Sequence, residues 1–217
     1  MESIFHPDST LMRGLTRVAD VMIVNFYFVV TSLPIVTLGA SLTALNFTAM
    51  RIATGNCHNV TADYFRSFRR NFRQATMVGL VLVFLTAVLA AWYVVVPTLA
   101  LGAVAELALL AIWYVLAFNF GMMVLFVFPY LASFEGRTRD VFRNARLMSW
   151  KHPLVSLTAL AVIALSVAVT VFYPMVTGYG LLWLLFGFAG IASINGRLFA
   201  HVFSKYIAAA ASTAGEK

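Results

Sequence analysis

Apolar residues fill this chain in five long blocks separated by short polar, mostly basic connections. The blocks lie at about Val18–Leu38, Thr76–Pro97, Leu107–Phe134, Leu154–Pro174 and Gly178–Phe199. Each is close to the roughly 20 mostly apolar residues that carry a helix across a bilayer. The second and third hold no charged residue, and none occurs between His152 and Gly196. The fourth and fifth blocks are therefore joined by a very short turn, and "YPMVTGYG" supplies it through Pro174, Gly178 and Gly180. The pattern predicts an all-α, polytopic transmembrane helix bundle of five spans. It reads as a single integral membrane domain over residues 1–217: a first helix at 18–38, a hairpin at 62–134 and a second hairpin at 139–205.

Composition points the same way. The chain is 62% hydrophobic and 11% charged, against roughly 45–50% and about 25% for soluble domains. A soluble fold of this length buries about 70% of the surface its unfolded chain exposes, which is too little to hide so much apolar area. The net charge of +7 then reads as loop orientation rather than as a nucleic-acid footprint. The N-terminal "MESIFHPDST" lacks the basic n-region of a secretory signal, so the first apolar block is expected to be retained.

The basic residues set the expected orientation. Arg51, Arg66, Arg69, Arg70 and Arg73 precede the second block, Arg137, Arg139, Arg143, Arg146 and Lys151 precede the fourth, and Lys205 and Lys217 follow the fifth. The loop at 98–106 and the turn after the fourth block hold neither Lys nor Arg. Positive-inside bias assigns the three basic regions and the C-terminus to the cytoplasm. Five crossings leave the N-terminus outside, with Arg13 and Arg17 on the wrong side, partly offset by Glu2, Asp8 and Asp20. The alternative is a first segment that enters through Val21–Leu33 and returns after "LPIVTLG", which gathers every positive charge on one face.

The two basic connections echo each other. "DYFRSFR", Asp63 to Arg69, aligns with "DVFRNAR", Asp140 to Arg146, at Asp, Phe, Arg and the final Arg. The same shift brings Pro97 onto Pro174. This fits a tandem repeat of helical hairpins, and it fits equally the generic pattern of any hairpin protein. On a helix, Tyr64, Phe65, Phe68 and Phe72 share one side, with Arg66, Arg69, Arg70 and Arg73 on an adjoining stripe. Arg139, Arg143 and Arg146 make the matching stripe beside Val141 and Phe142. Two short amphipathic basic helices in the cytoplasmic interface are expected, meeting anionic lipid headgroups. Docking of a membrane or cytoplasmic protein is the sharper alternative.

Few residues offer chemistry. Cys57 is the sole cysteine, and adjacent Cys57 and His58 do not converge on a metal ion. Glu106 and Glu135 fall on opposite sides of the membrane in this topology, so they cannot act together as acid and base. No catalytic residue, cofactor or metal site is expected, and the chain reads as no enzyme. Aromatic residues interleaved with arginine in "FRSFRRNFR" would suit single-stranded nucleic acid, but the segment is pinned against membrane helices, and no nucleic-acid partner is expected. Asn25, Asn119 and Asn195 lie within spans, where they make interhelical hydrogen bonds or line a polar pathway. Gly187, Gly190 and Gly196, with Ala189, Ala192 and Ser193, give the last helix a small-residue face for close packing.

The stretch "NFYFVVTSLPIVTLGASLTALNFTAMRIATG", Asn25 to Gly55, with Pro34, Gly39, "ASLTAL" and Arg51, resembles the YesL-like family of small bacterial membrane proteins, a domain of unknown function. "YFRSFRRNFRQA" and "FPYLASFEGRTRDVFRNARLMS" extend the resemblance over most of residues 10 to 205. The resemblance implies an integral membrane protein encoded alongside carbohydrate uptake and breakdown systems, with no catalytic residues to carry over. The expected function is a non-enzymatic accessory or regulatory component associated with carbohydrate uptake. The alternative is a small transporter or channel-like protein acting as an oligomer.

Overall fold

A computed structural model describes residues 10–176 and 178–215. Glu2, Asp8 and Lys217, which enter the charge pattern above, lie outside the described residues. The described chain is helical almost throughout and holds no strand: α1 (Thr10–Ser32), α2 (Leu38–Thr54), α3 (Val60–Val95), α4 (Ala103–Ser133), α5 (Thr138–Lys151), α6 (Pro153–Phe172) and α7 (Phe188–Gly215), the last preceded by a π-helical turn at Trp183–Gly187. The chain is thus an all-α polytopic helix bundle. Among the described residues, 6 helical stretches, not five, are long and apolar enough to cross a membrane.

The additional helix is α2. The first apolar block does not run through to Leu38 as one span. Pro34 has no N–H to continue α1 and disfavours helix at Leu33. A 3-10 turn at Ile35–Thr37 follows, in which the Thr37 N–H donates to the Pro34 carbonyl at 3.0 Å and the Thr37 hydroxyl lies within reach of the carbonyls of Thr31 (2.6 Å) and Pro34 (2.8 Å). The chain then turns back, as the returning alternative required, but through a full helix. Gly55 ends α2 in the left-handed region at φ 76°, with the Asn56 N–H closing on the Arg51 carbonyl at 2.9 Å. Asn59 opens α3, its side chain accepting from the Ala62 N–H at 3.0 Å.

α2 is the centre of the bundle. It packs on α1, α3, α4 and α7, and Gly39, Ala40, Ser41, Thr43, Ala44, Leu45, Thr48 and Ala49 are buried along it. Its crossing with α3 is backbone to backbone. A Cβ on Gly79 would lie 2.8 Å from the Gly39 Cα, and one on Gly39 would overlap the Ala75 carbonyl. Small residues allow this approach where lipid supplies no hydrophobic drive between helices. On α7, Gly196 closes on Met50 of α2, with a built Cβ 3.2 Å from the Met50 N. Gly187 instead faces the Trp183 ring of its own helix, and Gly190 has nothing within 4 Å. The small-residue face predicted on the last helix is therefore used chiefly at Ala189, Ala192 and Gly196.

α3 corrects a second expectation. Its basic segment is not a separate helix lying on the membrane surface. No breaker separates Arg73 from Met77, so the helix propagates for 36 residues, from Val60 to Val95. Asp63 meets Arg51 and Gly79 meets Gly39, so the basic half runs antiparallel beside the whole of α2. The second basic segment is a separate helix, α5, cut off by His152 and by Pro153 at the first position of α6. Beyond the core, α3 and α4 continue as an apolar hairpin on which, among residues 83–121, only Val96 is buried. Trp113 Nε1 donates to the Leu89 carbonyl at 2.7 Å and ties its two arms.

Candidate functional site

Three features hold the polar chemistry of the bundle. The first is its basic end. The start of α1, the end of α2, the basic half of α3, the end of α4, α5, the start of α6 and the later half of α7 lie together there. Arg51 reaches from α2 to the buried Asp63 carboxylate of α3, Nε to Oδ2 at 2.9 Å, and Arg66 approaches Oδ1 at 3.9 Å. The Cys57 Sγ–H donates to the same Oδ2 at 3.4 Å. Burial first, then this hydrogen bond and the negative charges of Asp63 and Asp20, push the Cys57 thiol up to about 11. Cys57 is thus held as a protonated donor at neutral pH, and His58 beside it is exposed.

The sequence-predicted arginines divide by role. Arg70 is exposed too but reaches onto neighbouring helices: its guanidinium lies 5.7 Å from the Phe47 ring centre and donates to the Ala132 carbonyl at 3.4 Å, at the C-terminal end of α4 where helix dipoles favour cations. One turn on, Gln74 donates to the Gly136 carbonyl at 2.8 Å. These two contacts bind α3 to the α4–α5 connection. Arg143 pairs with Asp140 on its own helix at 3.2 Å. Arg69, Arg73, Arg139 and Arg146 are exposed and make no ion pair among the described residues. α5 buries Val141, Ala145, Met148 and Ser149 toward the bundle. Asn144 donates to the Tyr130 hydroxyl at 2.8 Å, and His152 Nε2 meets the Tyr206 hydroxyl at 3.0 Å. Burial, then the neighbouring Lys151 and Lys205 charges, lower the His152 pKa.

The second feature is Asn25. It is fully buried in α1 and crosses to the π-helical turn before α7. Its Nδ2 donates to the carbonyls of Trp183 (2.9 Å) and Leu184 (2.7 Å), and its Oδ1 accepts from the Ala189 N–H at 3.0 Å. Leu184 and Ala189 are the pair whose carbonyl and N–H would close a π-helical bond. The side-chain amide is inserted between them like an extra peptide unit, a known cause of local helix distortion. Trp183 is held in turn by Nε1 donation to the Thr170 hydroxyl at 2.8 Å.

The third is a cavity of about 380 Å³ among α2, α4, α6 and α7. Its walls are apolar apart from Asn46 and Asn195. Asn195 is 4% exposed, and its Nδ2 donates to the Ala159 carbonyl of α6 at 3.4 Å while its Oδ1 has no partner among the described residues. Pro129, also in the wall, has no N–H for the Leu125 carbonyl one turn earlier. The site therefore offers acceptors in an apolar pocket. Asn119 does not join it: its Nδ2 returns to the Val115 carbonyl of its own helix at 2.8 Å, on a half-buried position.

Residues 21–93 match the model of a family described as a protein of unknown function, DUF624. The DUF624 stretch takes in Asn25, the Pro34 break, all of α2, the Arg51–Asp63–Cys57 node and most of α3. No curated protein and no solved structure matches the chain. Sequence reasoning missed the Arg51–Asp63 pair, Asn46 and α2 as a helix in its own right. The signals for α2 were present: Pro34 stops one helix, and Gly55 with Asn59 marks an end and a new start.

Proposed function

We propose that this chain is a non-enzymatic, multi-pass protein of the bacterial cell (inner) membrane. In this reading it is an accessory or regulatory component associated with carbohydrate uptake, and it offers its basic end to a membrane or cytoplasmic protein partner. The YesL-like resemblance supplies the link to carbohydrate uptake. The observation that carries the docking role is the set Arg69 and Arg73 on α3 with Arg139 and Arg146 on α5. All four are exposed and make no ion pair among the described residues, on helices braced by the Arg70–Ala132 and Gln74–Gly136 contacts. Guanidiniums on a packed scaffold lose less freedom on binding than guanidiniums on a loop. Six crossings would bring the start of α1, the later half of α7 and every Lys and Arg from Arg17 to Lys205 to one face, which positive-inside bias assigns to the cytoplasm.

One preparation tests both parts. In a Cys57→Ser background, single cysteines replacing Met12 and His58 should react from the cytoplasmic side, and one replacing Ile35 from the outside. Opposite accessibility of positions 12 and 58 would sink the six-crossing topology. Changing Arg69, Arg73, Arg139 and Arg146 together to Gln should abolish cross-linking to the partner while insertion persists; a partner retained by that variant rules docking out.

A second reading, a small transporter or channel-like protein acting as an oligomer, is favoured by the Asn195 cavity. It requires solute flux in reconstituted vesicles that falls when Asn195 is changed to Leu.

A further inference from the structure

A separate cavity of about 540 Å³ opens between α1, α2 and α7. Its walls are apolar, with Val21 on α1 and Phe186 and Ile194 along the approach to and the body of α7. Arg17 and Arg197 stand at its basic end. Both guanidiniums belong to exposed residues, and neither makes an ion pair among the described residues. Asp20, one turn from Arg17, is not in the cavity wall. Between the arginines and the apolar part sits Ser193, one turn from Arg197. Its Oγ is buried in the wall without a hydrogen-bond partner among the described residues. The order along α7 is thus cation, hydroxyl, hydrocarbon. From Arg197 to Phe186 it spans about 16 Å at the helical rise, the length of a substantial part of an acyl chain.

We infer that this groove is a binding site for one anionic phospholipid, independent of the docking role proposed above. Its phosphate lies between Arg17 and Arg197, the Ser193 hydroxyl turns out of the wall about χ1 to donate to a phosphate or ester oxygen, and one acyl chain lies against Val21, Ile194 and Phe186. Charge complementarity selects the occupant. Two guanidiniums with no ion pair among the described residues, at the mouth of an apolar groove, favour a ligand that joins an anion to hydrocarbon, and basic pockets between membrane helices hold such headgroups. A soluble anion would leave the apolar wall unused, and a neutral lipid would leave the charges unmet.

The test uses the full chain in nanodiscs and in detergent. Native mass spectrometry should show one phosphatidylglycerol retained in preference to phosphatidylcholine, by about tenfold. Arg17→Gln with Arg197→Gln should lose that adduct, whereas Arg69→Gln with Arg146→Gln should keep it. Phosphatidylglycerol with a diazirine in its acyl chain should label the unaltered protein at Val21, Phe186 or Ile194. This arm does not depend on any variant folding. Labelling confined to other helices, equal retention of the two lipids, or an adduct that survives the double variant would overturn the site. Displacement by inorganic phosphate would overturn it in favour of a soluble anion.

Discussion

Replacing Asn25 with Leu isolates a polar side chain that stitches α1 to α7 and the π-helical turn before it. The substitution keeps the approximate volume and removes three hydrogen bonds, to the carbonyls of Trp183 and Leu184 and from the Ala189 N–H. Interhelical bonds in membranes average about 0.6 kcal/mol, so the three together contribute about 2 kcal/mol. The leucine also fills the gap between Leu184 and Ala189 and prevents them from closing on each other. The buried Ala189 N–H then stays unmet at a further cost of about 1–3 kcal/mol. The expected loss is about 3–5 kcal/mol. Asn25→Ala should cost less of the second part, because the small side chain lets the ladder close. Asn119→Leu is the control: its bond returns to its own helix, and the expected change is under about 0.5 kcal/mol. Equilibrium unfolding in mixed detergent micelles, followed by tryptophan fluorescence, measures all three. Near-equal stabilities for Asn25→Leu and Asn119→Leu would refute the reasoning.

Two further outcomes follow from close contacts elsewhere. Gly39→Ala sets a Cβ into the Ala75 carbonyl and should destabilise by about 1–3 kcal/mol in the same assay; Gly190→Ala, with open space around it, should stay within about 0.5 kcal/mol. Equal effects would mean that the α2–α3 crossing is looser than its geometry. Cys57 in the unaltered protein should alkylate slowly at pH 8, because its thiol titrates near 11. Asp63→Asn removes the acceptor charge that helps hold the proton, so the thiolate fraction and the labelling rate at pH 8 should rise. A rate unchanged in that variant would dismiss the Cys57–Asp63 contact.

The sequence made the helices that face lipid easy to read. The later parts of α3 and α4, together with α6, carry side chains such as Phe84, Val94, Val104, Leu165 and Val171, all largely exposed, and hydropathy reports that preference. α2 is different in kind. It faces protein on several sides, so it is built from glycine, alanine and hydroxyl residues. The hydroxyls of Ser41, Thr43 and Thr48 donate to the carbonyls of Thr37, Gly39 and Ala44, which conceals their polarity at little cost. Composition therefore understates how deeply the helix is embedded. The arginine stripe on α3 had the right periodicity, but periodicity does not say where a helix ends. Asn25 stood out as a polar residue within a span. Its partners did not, because a π-helical turn at Trp183–Gly187 leaves no pattern in the local sequence.

The position of α2 also orders the biogenesis of the protein. α3 follows α2 directly off the ribosome and can cover the Gly39 side as soon as both are in the bilayer. The opposite flank, at Met50, belongs to Gly196 of α7, which is synthesised after all the other described helices. Until then a hydroxyl-rich, small-residue surface faces either lipid that holds it weakly or an insertion chaperone that shields it. A chain stalled before α7 therefore leaves the Met50 flank of its second helix uncovered.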